Sequence, residues 1–189
     1  MPDSLTARAG QMLAERMADT ECCAFPRRTH DLQGRADAFL IVACRHAVAV
    51  RRVLVAELEQ HGEHQRARQV AHECHAFQLS MLRAKGRLYG ATQLAGLSWQ
   101  TLWRQVVDHF EALTSLERNA LNALAKDASA DAAEKLAERM YRVETHAPTR
   151  PHPFMPSQGL GGWCALAVCS RIDGIWDAFE GRTAPPLVL

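Results

Sequence analysis

Along most of this chain apolar residues return three and four positions apart, the period of one face of an α-helix. The clearest run spans Gly34 to Gln60. Phe39, Val42, Ala49, Val50 and Val53 form its stripe, and Arg45, Arg52 and Glu59 recur every seven residues on the other side. Gly62 ends it. A second run covers His64 to Lys85 with Val70, Cys74, Phe77 and Met81 inward, and Gly86 and Gly90 frame its exit. A third starts at Ser98, a natural N-cap, and carries Leu102, Val106, Phe110, Leu113, Ala120 and Leu124 to about residue 125. A fourth starts near Ser129, with Asp131 in its first turn, and brings Leu136, Met140 and Val143 inward as far as His146. A last run extends from Leu160 to Glu180, where Val168, Ile172, Ile175, Trp176 and Phe179 are expected to face the protein before Gly181 stops the helix. A short pattern from Ser4 to Asp19 precedes them all, followed by a loop through Pro26, Arg27 and Arg28 to Gly34. Period-two runs of β-branched residues do not occur, so the fold class expected is all-α.

Helices at 34–60, 64–85, 98–125 and 130–146, two of their connections short, predict an up-and-down four-helix bundle. The segment Pro148 to Pro156 holds four prolines in nine residues, which forbids a helix and favours an extended spacer. The chain thus divides into an N-terminal helical segment and loop (1–33), the bundle (34–147), the Pro-rich spacer (148–159), a C-terminal flanking helix (160–182) and a tail (183–189).

Composition narrows the function. Of 189 residues, 48% are hydrophobic, enough for one packed domain. Lys+Arg is 22 and Asp+Glu 21, a net charge of +1, which lacks the basic footprint of a nucleic-acid binder. The start, Met1-Pro2-Asp3-Ser4-Leu5, has neither the basic nor the apolar part of a secretory signal. The most apolar run, Ala36 to Val50, is broken by Asp37, Arg45 and His46, too short for a membrane span. A cytoplasmic chain is expected. The six cysteines form no CxxC pair, which argues against a thiolate zinc site; Cys44, Cys74 and Cys164 sit in apolar patterns as reduced core thiols.

Nine histidines are the unusual feature. His46 lies on the stripe of Phe39, Val42 and Val50. His109 lies between Val106 and Leu113. His75 aligns with Ala71, Leu79 and Leu82, one turn from His72. Glu117 places a carboxylate on the apolar face of Phe110, Leu113 and Leu124, where it must be paired, protonated or metal-bound. Inward imidazoles and a carboxylate on different helices are the donor set of a bundle-core iron, manganese or zinc site. Hydrogen-bonded core histidines are the plain alternative. His109 and Glu117 stand eight residues apart, about 12 Å along one axis, so they cannot grip one ion from a straight helix. Glu73 need not join His72 and His75. His61 and His64 are expected in solvent, His146 at a helix C-terminus, His152 bonded locally, and His30 as a cap or at the bundle mouth. Nucleophile elbows, phosphate loops, dinucleotide fingerprints and HExxH are absent from the sequence. Cys74 beside His75 is the one thiol–imidazole pair, and successive helix positions point about 100° apart.

The segments Ala43-Cys44-Arg45-His46, Gly86-Arg87-Leu88-Tyr89-Gly90 and Pro148-Thr149-Arg150-Pro151-His152-Pro153, with the helix from His109 to Glu117, resemble the hemerythrin-like (HHE cation-binding) proteins of actinobacterial type across residues 30–182. The resemblance implies a non-haem iron site, possible as a di-iron pair, that binds or reduces O2, peroxide or NO, with His46, His72, His75, His109 and Glu117 as candidate ligands. The alternative is a metal-free helical bundle that acts as a protein-interaction module through its aromatic final helix and rigid proline arm. Trp163 and Trp176 would allow a homodimer contact.

Overall fold

The structure, a computed structural model, describes residues 29–92, 96–126, 129–156 and 159–180, without the side chains of 29–32 and 179–180. Helix accounts for 84% of the described residues, in five helices, with no strand among them. The expected helix at Ser4–Asp19, the tail, Cys22, Cys23 and the side chains of His30 and Phe179 lie outside the described residues.

The first rod, α1, begins as an α-helix at Thr29–Ala49, passes through a π-helical turn at Val50–Leu54 and resumes at Val55–Gln60. It starts earlier than expected, with Gly34 inside it in a backbone conformation that is not left-handed. Gly62, at φ 76°, makes the turn that ends the rod. Helix α2 is His64–Leu88, continuing through Gly86 to a stop at Gly90 (φ 78°). Helix α3 is Trp99–Leu124, capped by Ser98 accepting from the Thr101 N–H. Helix α4 is Ala130–His146, capped in the same way by Ser129. Both serines stand where the sequence placed them, and each satisfies an otherwise orphaned N–H. An irregular strap, residues 147–156, leads to α5, Gly159–Glu180.

The main core joins α1, α2 and α3. Phe39 packs edge-on against Trp103 and Phe110, and Phe77 tilts against Phe110 at 5.7 Å. Leu54, Leu58, Val70, Cys74, Met81, Val106 and Leu113 fill the space between them. A smaller cluster under α4 and α5 holds Val48, Ala49, Val53, Val143, Ala147 and Leu166. Arg139 on α4 donates to Glu57 on α1 at 2.5 Å.

Two expected faces are corrected. Arg52 does not share the outer side with Glu59; it is buried, while Arg45 is half-buried. The π turn, in which the Val55 N–H reaches back to Val50 O, widens the spiral. It sets later residues back by roughly 100°, so a seven-residue repeat no longer keeps one face across it. Helix α5 is turned over: Val168, Ile172, Ile175 and Trp176, expected inward, are exposed, and Cys164, expected in the core, is exposed with them. Among the described residues no helix is long and apolar enough to cross a membrane.

Candidate functional site

Three helices bury an imidazole and two carboxylates side by side. His46 on α1 donates from Nε2–H to Glu117 Oε2 on α3 at 2.9 Å, and from Nδ1–H to Glu144 Oε1 on α4 at 2.7 Å. All three residues are buried. The sequence places His46 and Glu117 inward because each sits on a helical apolar stripe, and the structure joins them directly. Burial alone would drive the imidazole toward its neutral form. The charges of Glu117 and Glu144, together with the bonds to them, overcome that cost and push the His46 pKa up to about 10. His46 is therefore an imidazolium at neutral pH, answering the need of Glu117 for a partner. Glu144 was not foreseen. Its signal was the one that exposes Glu117: it stands four residues after Met140 and eight after Leu136, on the edge of the α4 stripe.

The other candidates go elsewhere. His109 is half-buried and donates from Nδ1 to Glu73 of α2 at 2.6 Å, so Glu73 pairs with His109 and with neither His72 nor His75. His75 donates from Nδ1 to Pro153 O of the strap at 3.0 Å and meets the Phe154 ring edge-on. His72 is exposed, as are His61, His64 and His146. The expected convergence of His46, His72, His75, His109 and Glu117 is thus reduced to the pair His46–Glu117. Among the described residues no group of three or more His, Cys, Asp or Glu side chains is placed to hold a metal ion. At the centre, Glu144 and Glu117 sit at opposite nitrogens of the His46 ring, so the three groups do not converge on one point. Cys74 is fully buried. Its burial and the nearby Glu117 charge push the thiol well above its ordinary range, the opposite of an activated nucleophile, and His75 turns away to the strap.

The second concentration of polar chemistry fixes α5. Asp173 and Asp177, one turn apart, point into the protein at 1% and 7% exposure. Asp177 accepts from the Thr149 hydroxyl and from Arg150 Nη2 at 3.1 Å. Asp173 accepts from the Arg150 backbone N–H at 2.9 Å and from His152 Nε2 at 3.2 Å. His152 is thus bonded locally, as expected. The strap is tied down on its other side by Cys44 Sγ–H donating to Arg150 O and by Arg51 donating to Pro153 O. Arg52 completes the seat. It donates to Gly162 O at 2.9 Å and lies 4.3 Å from the Trp163 ring centroid. With its polar residues turned in, α5 presents Leu160, Val168, Ile172, Ile175 and Trp176 to solvent at 47–86% exposure.

No family model matches the chain, and no curated protein and no solved structure matches it either.

Proposed function

We propose that this protein is a metal-free helical module that acts by binding another protein through the outer face of α5. The observation that carries it is the inverted polarity of that helix: two aspartates buried, a continuous apolar row exposed. A contiguous apolar patch held in place by charged clamps marks an interaction surface, since a helix free to choose would bury the apolar side. Beneath it, α1–α4 form an up-and-down four-helix bundle. Support comes from Glu57–Arg139 and His46–Glu144, which run α1 and α4 in opposite directions, and from the tight turn at Gly62 between α1 and α2. In this reading the His46–Glu117–Glu144 triad is a structural tie between three helices.

The experiment is a photo-cross-linking amino acid at Val168 in the cells that make the protein, with exposed Arg118 of α3 as the control position. A discrete adduct from position 168 and none from 118 is expected. Absence of any adduct at 168 overturns the reading.

A second reading is hemerythrin-like binding of iron and of a small oxidant, whose donor types, an imidazole and two carboxylates, three helices bury side by side, although the two carboxylates stand at opposite nitrogens of the ring and not around one point. It requires an ion to displace the imidazole protons. Metal content of untagged protein decides it. More than about half an equivalent of iron, lost in His46→Ala, would replace the first reading; the module reading expects less than about a tenth.

A further inference from the structure

We propose that the strap and α5 form one hinged arm, which lifts from the body of α1–α4 as a unit about Ala147 and Pro148. This motion needs no partner and does not depend on the interaction reading above. Two sets of bonds decide how this part of the chain comes apart: those inside the arm, and those between arm and body.

Inside the arm, strap and helix hold each other through two buried carboxylates. Asp177 accepts from the Thr149 hydroxyl and from Arg150 Nη2, and Asp173 accepts from the Arg150 backbone N–H and from His152 Nε2. Hydrogen bonds to an ionised acceptor held away from water are the strong kind.

Toward the body the fastenings are of a weaker kind. Cys44 Sγ–H donates to Arg150 O, His75 Nδ1 and Arg51 Nη1 donate to Pro153 O, and Arg52 Nη1 donates to Gly162 O. Each of these acceptors is a neutral carbonyl. The thiol is a weak donor, and the Arg51 bond is long at 3.4 Å. Among the apolar side chains described on α5, Leu166 is the one that is buried, with Val48, Ala49, Val53 and Val143. The contacts of Arg52, Trp163 and Leu166 are lost however α5 leaves. What remains is a choice between the four carboxylate bonds and the three strap bonds to carbonyls, with the cover over Pro151 and Pro153. The carboxylate bonds are the stronger set, so the strap goes with the helix.

The junction fits a hinge. Helix α4 ends at His146, Ala147 is already extended (φ −73°, ψ 152°), and Pro148 has no N–H to hold it. A helix with its connecting segment is the kind of unit that opens at lower free energy than the core. Lifting bares Val48, Ala49, Val53 and Val143, and with them the thiol of Cys44.

Cys44 is therefore a built-in reporter, buried and bonded to the strap, while Cys74, buried in the main core, reports unfolding of the whole. The test is peptide-resolved alkylation of the folded full chain by iodoacetamide at low urea, for the wild type and for Leu166→Cys, which puts a second thiol beneath α5. Cys44 is expected to react at least about tenfold faster than Cys74 and with a weaker urea dependence, because the opening exposes little surface. The thiol at position 166 should react within about threefold of Cys44. Arg52→Ala in that background should speed both by one factor, about fivefold or more, although Arg52 touches the helix and Cys44 the strap.

Cys44 reacting at the rate of Cys74, with the same urea dependence, overturns the arm, since the strap then leaves only with the whole fold. So does a reactive thiol at 166 over a protected Cys44, which means that α5 leaves the strap behind. The first comparison needs only the wild type, so a Leu166→Cys chain that fails to fold does not shelter the proposal. Neither result bears on the cross-link at Val168: arm and interaction surface stand or fall separately.

Discussion

At the scale of single residues, the His46 triad shows how a buried carboxylate on an apolar helix face is satisfied. Glu117 was legible because a charge among Phe110, Leu113 and Leu124 is costly, and His46 because it sits on the α1 stripe. Which of the remedies open to Glu117 applied was not legible. That depends on the rotation of α4, which carries the second carboxylate. The two roles separate by mutation. His46→Ala leaves two carboxylates facing one another in the core and should cost about 3–5 kcal/mol, a fall in Tm on the order of 10 °C. Replacing the whole set, His46→Leu with Glu117→Leu and Glu144→Leu, should be neutral or stabilising, because the desolvation cost of three charges disappears with their attraction. A triple variant that does not fold would contradict this balance, because it would show that the attraction among the three groups outweighs their desolvation.

The triad also sets a pH dependence. The folded pKa of His46, about 10, lies above its ordinary value of 6.5, so the native state holds the proton more tightly than the unfolded chain. Its stabilisation is complete below about pH 6.5 and is lost as the pH rises to about 10, with a slope of at most ~1.4 kcal/mol per pH unit. Chemical denaturation between pH 6.5 and 10 should show stability falling in the wild type, and a shallower fall in the triple leucine variant.

At the scale of elements, the helices were legible nearly to the residue wherever a cap or a turn glycine marked them: Ser98, Ser129, Gly62 and Gly90. The faces were legible for the main stripes of α2 and α3, whose spirals carry no π turn; Leu82 of α2, expected inward beside His75, is exposed. They failed where the rule of constant rotation failed. The π turn at Val50–Leu54 carries no glycine or proline to announce it, and it moves Arg52 inward to clasp Gly162 and Trp163. Arg52→Ala removes that clasp and the guanidinium–indole contact together. Its expected cost is about 1–3 kcal/mol in thermal or chemical denaturation, with a matching loss of the Trp163 contribution to near-ultraviolet circular dichroism. An unchanged spectrum and Tm would show that α5 is not seated through Arg52. Helix α5 misled for a different reason. Periodicity marks an apolar face but not which way it points, and the clue lay in the neighbouring segment. Thr149, Arg150 and His152 are the partners that draw Asp173 and Asp177 inward.

At the scale of the molecule, the all-α class and a helix-free segment at the prolines followed from the sequence because they depend on composition and on the backbone limits of proline; that segment is bent, with the Met155 N–H donating to His152 O, and not the extended spacer expected. The proposed site did not, because His72, His75 and His109 are claimed by solvent, the strap and Glu73, and these are tertiary facts. What results is a helical body with a strap that fastens an apolar helix to it wrong side out. The most direct measurement is a paired thermal denaturation of Asp177→Ala and Ile175→Asp, at a concentration low enough for both to be monomeric. Asp177→Ala should lower stability by about 1.5–3 kcal/mol, because it strands the Thr149 hydroxyl and the Arg150 guanidinium, while Ile175→Asp should stay within about 0.5 kcal/mol of wild type, as an exposed position does. The reverse order, a neutral Asp177→Ala and a destabilising Ile175→Asp, would show that α5 turns its apolar side to the core.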